Sequence, residues 1–533
     1  MMPLDARTLP RLLSACAQRW PDSPAVADGD TRLTFAELAA EVERFACALA
    51  ARGVAPGDRV AIWAPNSWRW VVAALGTVTA GAVMVPINTR YKGNEAGYLL
   101  GRTRAVALVT DDGFLGIPYV SMLSGEDLPH LATVVVLNEV PAVAAPGESE
   151  MLAWNAFMAV GGDVDPALVR TRASAVRPED VSDIFFTSGT TGKPKGAMLT
   201  HFQSTALYVG WSELADLREG DRYLLVNPFF NTFGYKAGIV SCLLRGATIV
   251  PQPVFDVETT LRLIAQERIT VLPGPPTLYT SILDHPERSH HDLSSLRVAV
   301  TGATTVPVVL IERMRDELKL QTVLTAYGLT ESCGTATMCR PADDSGTIAT
   351  TSGRALDGVE VQIVDANGES LPPGNAGEVF IRGFNVMVGY FEDEAATRET
   401  ISPDGWLRTG DVGVMDEAGN LRITDRVKDM FIVGGFNVYP AEIEQVLARH
   451  DAIAEVAVVG VPDERLGEVG CAFVVPRQQA SVSLAEVTDY CRDRLANYKV
   501  PRHIRFVDSL PRNATGKVLK TVLRQSGTDK REA

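Results

Sequence analysis

The chain has no CxxC pair, and its seven cysteines are scattered and odd in number. That excludes a disulfide scaffold and a thiolate zinc site, and it fits a reducing cytosol, so a cytoplasmic location is expected. Positive charge is also scarce: 50 basic residues face 65 acidic ones, for a formal net charge of -15. A surface of that sign does not follow nucleic acid or adhere to an anionic membrane, so anionic substrates have to be held by local cations. The opening "MMPLDARTLPRLLSACAQRW" lacks an apolar core of the secretory kind. One uncharged run, "VVAALGTVTAGAVMVPIN", approaches the length of a membrane span, but its glycines, threonines and closing proline predict a buried helix running into a strand. No fixed-period repeat, low-complexity segment or Ser-His-Asp arrangement is visible.

What is present reads as a large soluble α/β protein. At 533 residues the chain exceeds one ordinary domain. Short β-branched runs ending in Pro or Gly ("RVAIWAP", "RYLLVNP", "ATIVPQP", "ITVLPGP", "LRVAVTG") alternate with amphipathic stretches such as "VETTLRLIAQER" and "VPVVLIERMRDELK". That alternation predicts layered helices on mainly parallel sheets. From about residue 341, Asn-Gly, Pro-Gly and Gly-Asn turns between alternating segments predict antiparallel hairpins. After Lys428 follow "AEVAVVGV", "CAFVVP" and the helical "LAEVTDYCRDRLANY".

The stretch "TSGTTGKPKG", Thr187 to Gly196, packs four Gly/Pro breakers, four hydroxyls and two lysines into ten residues. Backbone N–H groups of a glycine-rich turn converge on phosphate oxygens, and hydroxyls and ammonium groups add to them. A Walker loop requires Ser or Thr after the Gly-Lys pair and a helix there. Pro194 stands after Lys193 and excludes both. Three more loops follow predicted strands: "PFFNTFGYKAG", "TGATTVP" and "AYGLTE". In open α/β sheets the ligand crevice lies at the carboxyl ends of the strands, where such loops can hold a base, phosphates and a metal. Glu331 is a candidate oxygen ligand for Mg2+.

With "GWLRTGD", "DRVKDMFIVGGFNVYPAEIE" and "PRNATGK" following in order, the chain resembles the adenylate-forming superfamily of acyl-CoA synthetases, adenylation domains and luciferases. The resemblance implies an N-terminal AMP-binding domain over 1–425, with a β-rich part from about 341 to 425, and a small mobile α+β domain over 426–533. It implies ATP, Mg2+ and coenzyme A, and a reaction in which AMP is transferred to a carboxylic acid and then displaced by a thiol. By resemblance, Thr187, Ser188, Thr190, Thr191 and Lys195 hold the β,γ-phosphates, with Gly189 and Gly192 in the same ATP-binding loop, and Thr330 sits near the α-phosphate. Glu331 binds the metal. Asp411 accepts from the ribose hydroxyls with Arg426 beside it, Gly302, Ala303 and Tyr327 sandwich the adenine, and Thr304 and Gly328 belong to the same nucleotide site. Lys517 reaches the carboxylate and α-phosphate, Lys428 is the hinge, and Gly434, Gly435 and Phe436 face the thiol channel.

The acyl pocket is expected to draw on Phe229, Phe230, Asn231, Phe233, Tyr235, Lys236, Gly238, Thr304 and Thr305, an aromatic lining suited to a sizeable hydrophobic acid. Lys236 either snorkels to solvent or meets a substrate oxygen. Asn231 stands where many acyl-CoA synthetases have His; it keeps hydrogen bonding without titrating near neutrality. "PFFNTFGYKAG" also resembles actinobacterial ligases that activate propanoate side chains of degraded steroid rings; medium- or long-chain fatty acids and aromatic acids stay open. A carrier-loading adenylation enzyme is the alternative, though no carrier module is present. Partners are expected to be the acid, ATP and CoA, with no nucleic acid and no integral membrane segment; a homodimer is compatible with the sequence.

Overall fold

A computed structural model describes residues 6–187, 193–302, 306–365, 367–426, 431–438, 440–477, 482–511, 518 and 520–528. The chain divides into two compact units: Met1–Thr89, Gly97–Phe185 and Gly196–Thr424 in the first, and Arg90–Ala96, Phe186–Lys195 and Asp425–Ala533 in the second.

In the first unit, one eight-stranded sheet has Arg59–Trp63 and Ala107–Thr110 near its middle and Gly389–Tyr390 at one edge. Its strands from Val181–Thr187 through Val83–Pro86, Arg59–Trp63, Ala107–Thr110 and Thr133–Val136 to Glu150–Ala153 pair in parallel, and at the far edge Tyr390 lies antiparallel to Ala197. Such strands are buried on both faces, which is why Val83–Pro86 and Thr133–Val136 are apolar without alternation. The uncharged run folds as helix Trp68–Thr79 and then strand Val83–Pro86, capped by the Ser67 hydroxyl on the Trp70 amide. No helix among the described residues is long and apolar enough to cross a membrane.

A second layer positions the site. Arg222–Leu225 runs parallel to Thr248–Pro251, and Val298–Gly302 runs parallel to Thr322–Tyr327. Between these pairs the expected strand "ITVLPGP" is reduced to one residue: Val271 bridges Tyr223 on one side and Val298 on the other. Pro273 and Pro275 follow it at once, and proline cannot donate to a ladder. The bridge still brings the ends of Arg222–Leu225, Val298–Gly302 and Thr322–Tyr327 to one edge.

The hairpins after residue 341 form a four-stranded sheet of Val359–Val364, Ala376–Gly383, Leu407–Met415 and Leu421–Arg426. In the second unit, Phe431–Val433, Phe436–Val438, Ile453–Asp463, Gly467–Pro476 and His503–Phe506 form one sheet. Phe431, Ile443, Leu447, Val458 and Cys491 fill its core. The helix Pro440–Leu447 carries the two glutamates of "PAEIE": Glu442 pairs with the buried Lys499 at 2.6 Å, and Glu444 accepts from the Val458 amide at 2.7 Å. All seven cysteines are buried and unpaired, in keeping with the absence of a disulfide scaffold.

Candidate active site

Three sequence-predicted groups meet at the shared strand edge. Gly302 ends its strand opposite Ala326, so it and Tyr327 are neighbours across the parallel pair. Gly302 has φ +150, and a Cβ there would lie 3.3 Å from the Ala326 carbonyl oxygen. At Gly328 the backbone folds over the next loop: a Cβ would sit 2.5 Å from Thr335 Cα. Thr330 and Glu331 stand on a single tight turn, Thr330–Ser332, closed by the Ser332 hydroxyl accepting from the Leu329 amide. Cys333 leaves that turn in the left-handed region at φ +58.

Asp411 arrives from the antiparallel sheet. Its strand is irregular there, because Glu378 faces Val412 and Phe380 faces Arg408, leaving Thr409, Gly410 and Asp411 opposite one residue. Gly410 adopts φ +70 within this bulge. The Thr409 hydroxyl donates to the Val379 carbonyl at 2.7 Å and accepts from the Asp411 amide at 3.0 Å. Bulges of this kind re-aim a side chain beside a functional site. The result is that Asp411, only 1% exposed, accepts at Oδ2 from the Tyr327 hydroxyl at 2.7 Å.

Glu331 has a partner that sequence reasoning missed. The Tyr390 hydroxyl donates to Glu331 Oε1 at 2.9 Å, and the Met387 amide donates to the Glu331 carbonyl. Asn385, fully buried, donates to the Ser332 and Thr335 carbonyls and holds the same loop. The sequence offered one hint, an Asn and a Tyr bracketing "VMVG" between two strands. Asn66 was missed as well. Its side-chain amide donates to the carbonyls of Leu225 and Asn227 and accepts from the Phe229 amide at 2.8 Å, so it fixes the start of "PFFNTFGYKAG".

That loop leads into a π-helix, Phe233–Val240. Its predicted pocket residues separate into two groups. Asn231 is exposed and Phe233 half-buried, whereas Phe230 is nearly buried. Phe229, Tyr235 and Lys236 have no exposed surface and pack behind them. Phe229 and Tyr235 lie against Trp70 at 5.1 and 5.7 Å between ring centroids. Gly238 is buried against Leu225, whose Cδ2 would be 2.5 Å from an added Cβ. The expectation that Lys236 snorkels to solvent or meets a substrate oxygen is corrected: its ammonium is 3.0 Å from Asp183 Oδ2 inside the core. The physical reason is Asp183, a fully buried carboxylate on the strand Val181–Thr187, which cannot stay charged there without a cation.

Thr187 ends that strand and Lys195 opens the next, so they flank the threonine-rich loop in the chain. Ser188, Gly189, Thr190, Thr191, Gly192, Ala303, Thr304, Thr305, Lys428 and Lys517 lie outside the described residues, and of Arg426 the backbone alone is described, at the end of Leu421–Arg426. In the second unit, Gly434 and Gly435 make a two-residue hairpin turn with φ +55 and +87, both left-handed, which glycine permits at no steric cost. Phe436 stacks on Tyr498 at 4.6 Å.

The site therefore combines a buried carboxylate oriented by a tyrosine, a half-buried carboxylate oriented by another, and two close-packed glycine positions at parallel strand ends. This fits a nucleotide. Asp411 is suited to accept from ribose hydroxyls, and Glu331 to offer an oxygen to a hard cation.

Comparison with known proteins agrees. The model of the AMP-binding enzyme family matches residues 13–391, and that of the AMP-binding enzyme C-terminal domain matches 442–517. A 3-[(3aS,4S,7aS)-7a-methyl-1,5-dioxo-octahydro-1H-inden-4-yl]propanoyl:CoA ligase of Mycobacterium tuberculosis is 54% identical over 98% of this chain and 99% of its own. The ligase of the same name from Rhodococcus jostii is 52% identical over 97% and 98%. Among solved structures, o-succinylbenzoate CoA synthetase from Bacillus subtilis superposes with a TM-score of 0.80 at 30% identity, covering 96% of this chain and 98% of that one. Matches of this extent in both parts of the sequence, with a solved structure of the same fold, place the chain in the AMP-binding enzyme family.

Proposed function

We propose that this protein is an ATP-dependent acyl-CoA ligase. A carboxylate is a poor electrophile, because its charge repels a nucleophile and oxide leaves badly. Transfer of AMP to the acid releases pyrophosphate and gives a mixed anhydride, from which the CoA thiol displaces AMP. The observation that carries this reading is the Tyr327–Asp411 pair at the strand edge, a buried carboxylate held ready for two ribose hydroxyls. Glu331, set by Tyr390, would hold Mg2+ together with phosphate oxygens and water, as that ion usually prefers. Among the described residues no cluster of three His, Cys, Asp or Glu side chains competes for a metal. The ion would supply charge neutralisation to the phosphates. Lys517 is assigned to the adenylation step and Lys428 to the hinge of the second unit, both on the family motif.

The acid we propose is a propanoate carried on a bicyclic ketone. Support comes from two ligases named for such an acid, each more than half identical over nearly the full chain. The bulky aromatic surroundings of Asn231 suit a ring system better than a small polar acid. The test is a panel of acids with ATP and CoA, scored by AMP and pyrophosphate release, with bicyclic diketone propanoates beside fatty acids of graded length. Preferred turnover of the ring propanoates is expected. Release of ADP, or no acid-dependent exchange of pyrophosphate into ATP with any acid, would overturn the ligase assignment.

A further inference from the structure

The buried lysine has no part in the chemistry above, yet its surroundings are elaborate. Lys236 Nζ lies 3.0 Å from Asp183 Oδ2, and Oδ1 lies 2.9 Å away but off the line of a hydrogen bond. The Ser204 hydroxyl accepts from the same ammonium, and the Ser182 hydroxyl donates to Asp183 Oδ2 at 2.7 Å. Phe185 and Tyr235 present their rings at 5.7 and 5.9 Å. The Cys333 thiol, pushed up to about 11 by burial, is drawn the other way by the Lys236 ammonium. Tyr208 closes the group, donating to the Cys333 carbonyl at 2.8 Å.

Four segments thus converge on one ammonium. Asp183 belongs to the strand that runs into the threonine-rich loop; Ser204 to helix His201–Leu214; Lys236 to the π-helix; Cys333 to the loop just after Thr330 and Glu331. π-Helical geometry is frequent at functional sites, and here it runs over the eight residues Phe233–Val240. This π-helix is rigidly joined to the exposed Asn231. The Tyr235 amide donates to the Asn231 carbonyl at 3.0 Å, and Gly234 is so close to Pro228 that a Cβ would lie 2.1 Å from its carbonyl oxygen. A shift of Lys236 is therefore a shift of Asn231 and Phe233. Burying an ion pair adds little net stability over an apolar pair of the same volume, but it admits fewer arrangements.

We infer that the Lys236–Asp183 pair is a positioning device that sets the height of Asn231 and Phe233 against the nucleotide side of the site, and so determines where the acid is held for adenylation. This rests on the ligase reading above. Neither residue touches the acid; both act through the π-helix. The decisive variant is Lys236→Met with Asp183→Leu, which removes both charges and leaves no orphan. Its thermal midpoint is expected near that of the parent protein. In acid-dependent pyrophosphate exchange the KM for the acid is expected to rise at least tenfold, with the KM for ATP changed less than twofold. Ser204→Ala, which deletes one acceptor of the ammonium, folds more safely and should raise the acid KM three- to fivefold. A purely structural pair predicts lower stability, with activity falling in step with the folded fraction and an unchanged acid KM. That result in either variant overturns the inference while leaving the ligase reading intact. A parent protein without exchange overturns both.

Discussion

Tyr327→Phe isolates one hydrogen bond and leaves the ring in place. The hydroxyl is 2.7 Å from Asp411 Oδ2, and Asp411 is 1% exposed, so water cannot readily replace the donor. Hydrogen bonds to charged groups contribute about 1.5–3 kcal/mol. The Asp411 backbone stays fixed by Thr409, so the loss falls on side-chain orientation, and the lower end of the range applies. At about 1.4 kcal/mol per factor of ten, the KM for ATP should rise roughly tenfold. The kcat should change little if the ribose is bound alike before and during adenylyl transfer. The assay is acid-dependent pyrophosphate exchange at varied ATP. A parallel series with 2′,3′-dideoxy-ATP supplies the coupling: the parent protein should lose affinity for that nucleotide, and the variant should lose little beyond it. An ATP KM within twofold of the parent value, or full additivity with the dideoxy nucleotide, would refute the role given to the pair.

Lys517→Ala should block formation of the acyl-adenylate yet leave transfer from a synthetic acyl-adenylate to CoA largely intact; equal loss of both steps would remove the role assigned to it. Gly328→Ala should destabilise the protein by about 1–3 kcal/mol, measured by thermal or urea unfolding, because its Cβ would collide with backbone atoms that cannot swing aside. His201 gives a pH prediction. Burial, aided by the Lys236 charge, lowers its pKa from 6.5 to about 3, and its Nδ1 accepts from the Leu9 amide. Below pH 6.5 the unfolded chain takes up a proton that the folded chain refuses, so stability falls by about 1.4 kcal/mol per pH unit toward pH 3. His201→Gln keeps an acceptor and should remove that increment from the pH slope of urea unfolding.

Strand and helix positions in the first unit were legible because buried parallel strands are apolar runs and the helices between them are amphipathic. The loops after Val298–Gly302 and Thr322–Tyr327 were legible as strand-end loops because glycines and hydroxyls follow the apolar runs. Partners across the fold were not. Asn66 and Phe229 are 163 residues apart, and nothing local in "APNSW" marks the asparagine as a brace. Tyr390 was hidden for the same reason. Lys236 was misplaced although a signal existed: "VSDIFFT" has one charged residue in a strand that is otherwise apolar or hydroxylic, and a buried carboxylate there demands a buried cation. The run "ITVLPGP" was read as a strand because its composition is right; the prolines limit it to a single bridge.

The brace at Asn66 bears on any attempt to exchange acid preference between related ligases. The segment from Pro228 to Gly238 takes its shape from an amide made far earlier in the chain, which also grips the Leu225 carbonyl at the end of one strand and the Gln252 carbonyl just past another. Transplanting the segment alone would carry its side chains but not its curvature. A graft that includes the donor's residue at position 66 and its flanks is the smallest unit that transfers the contour intact.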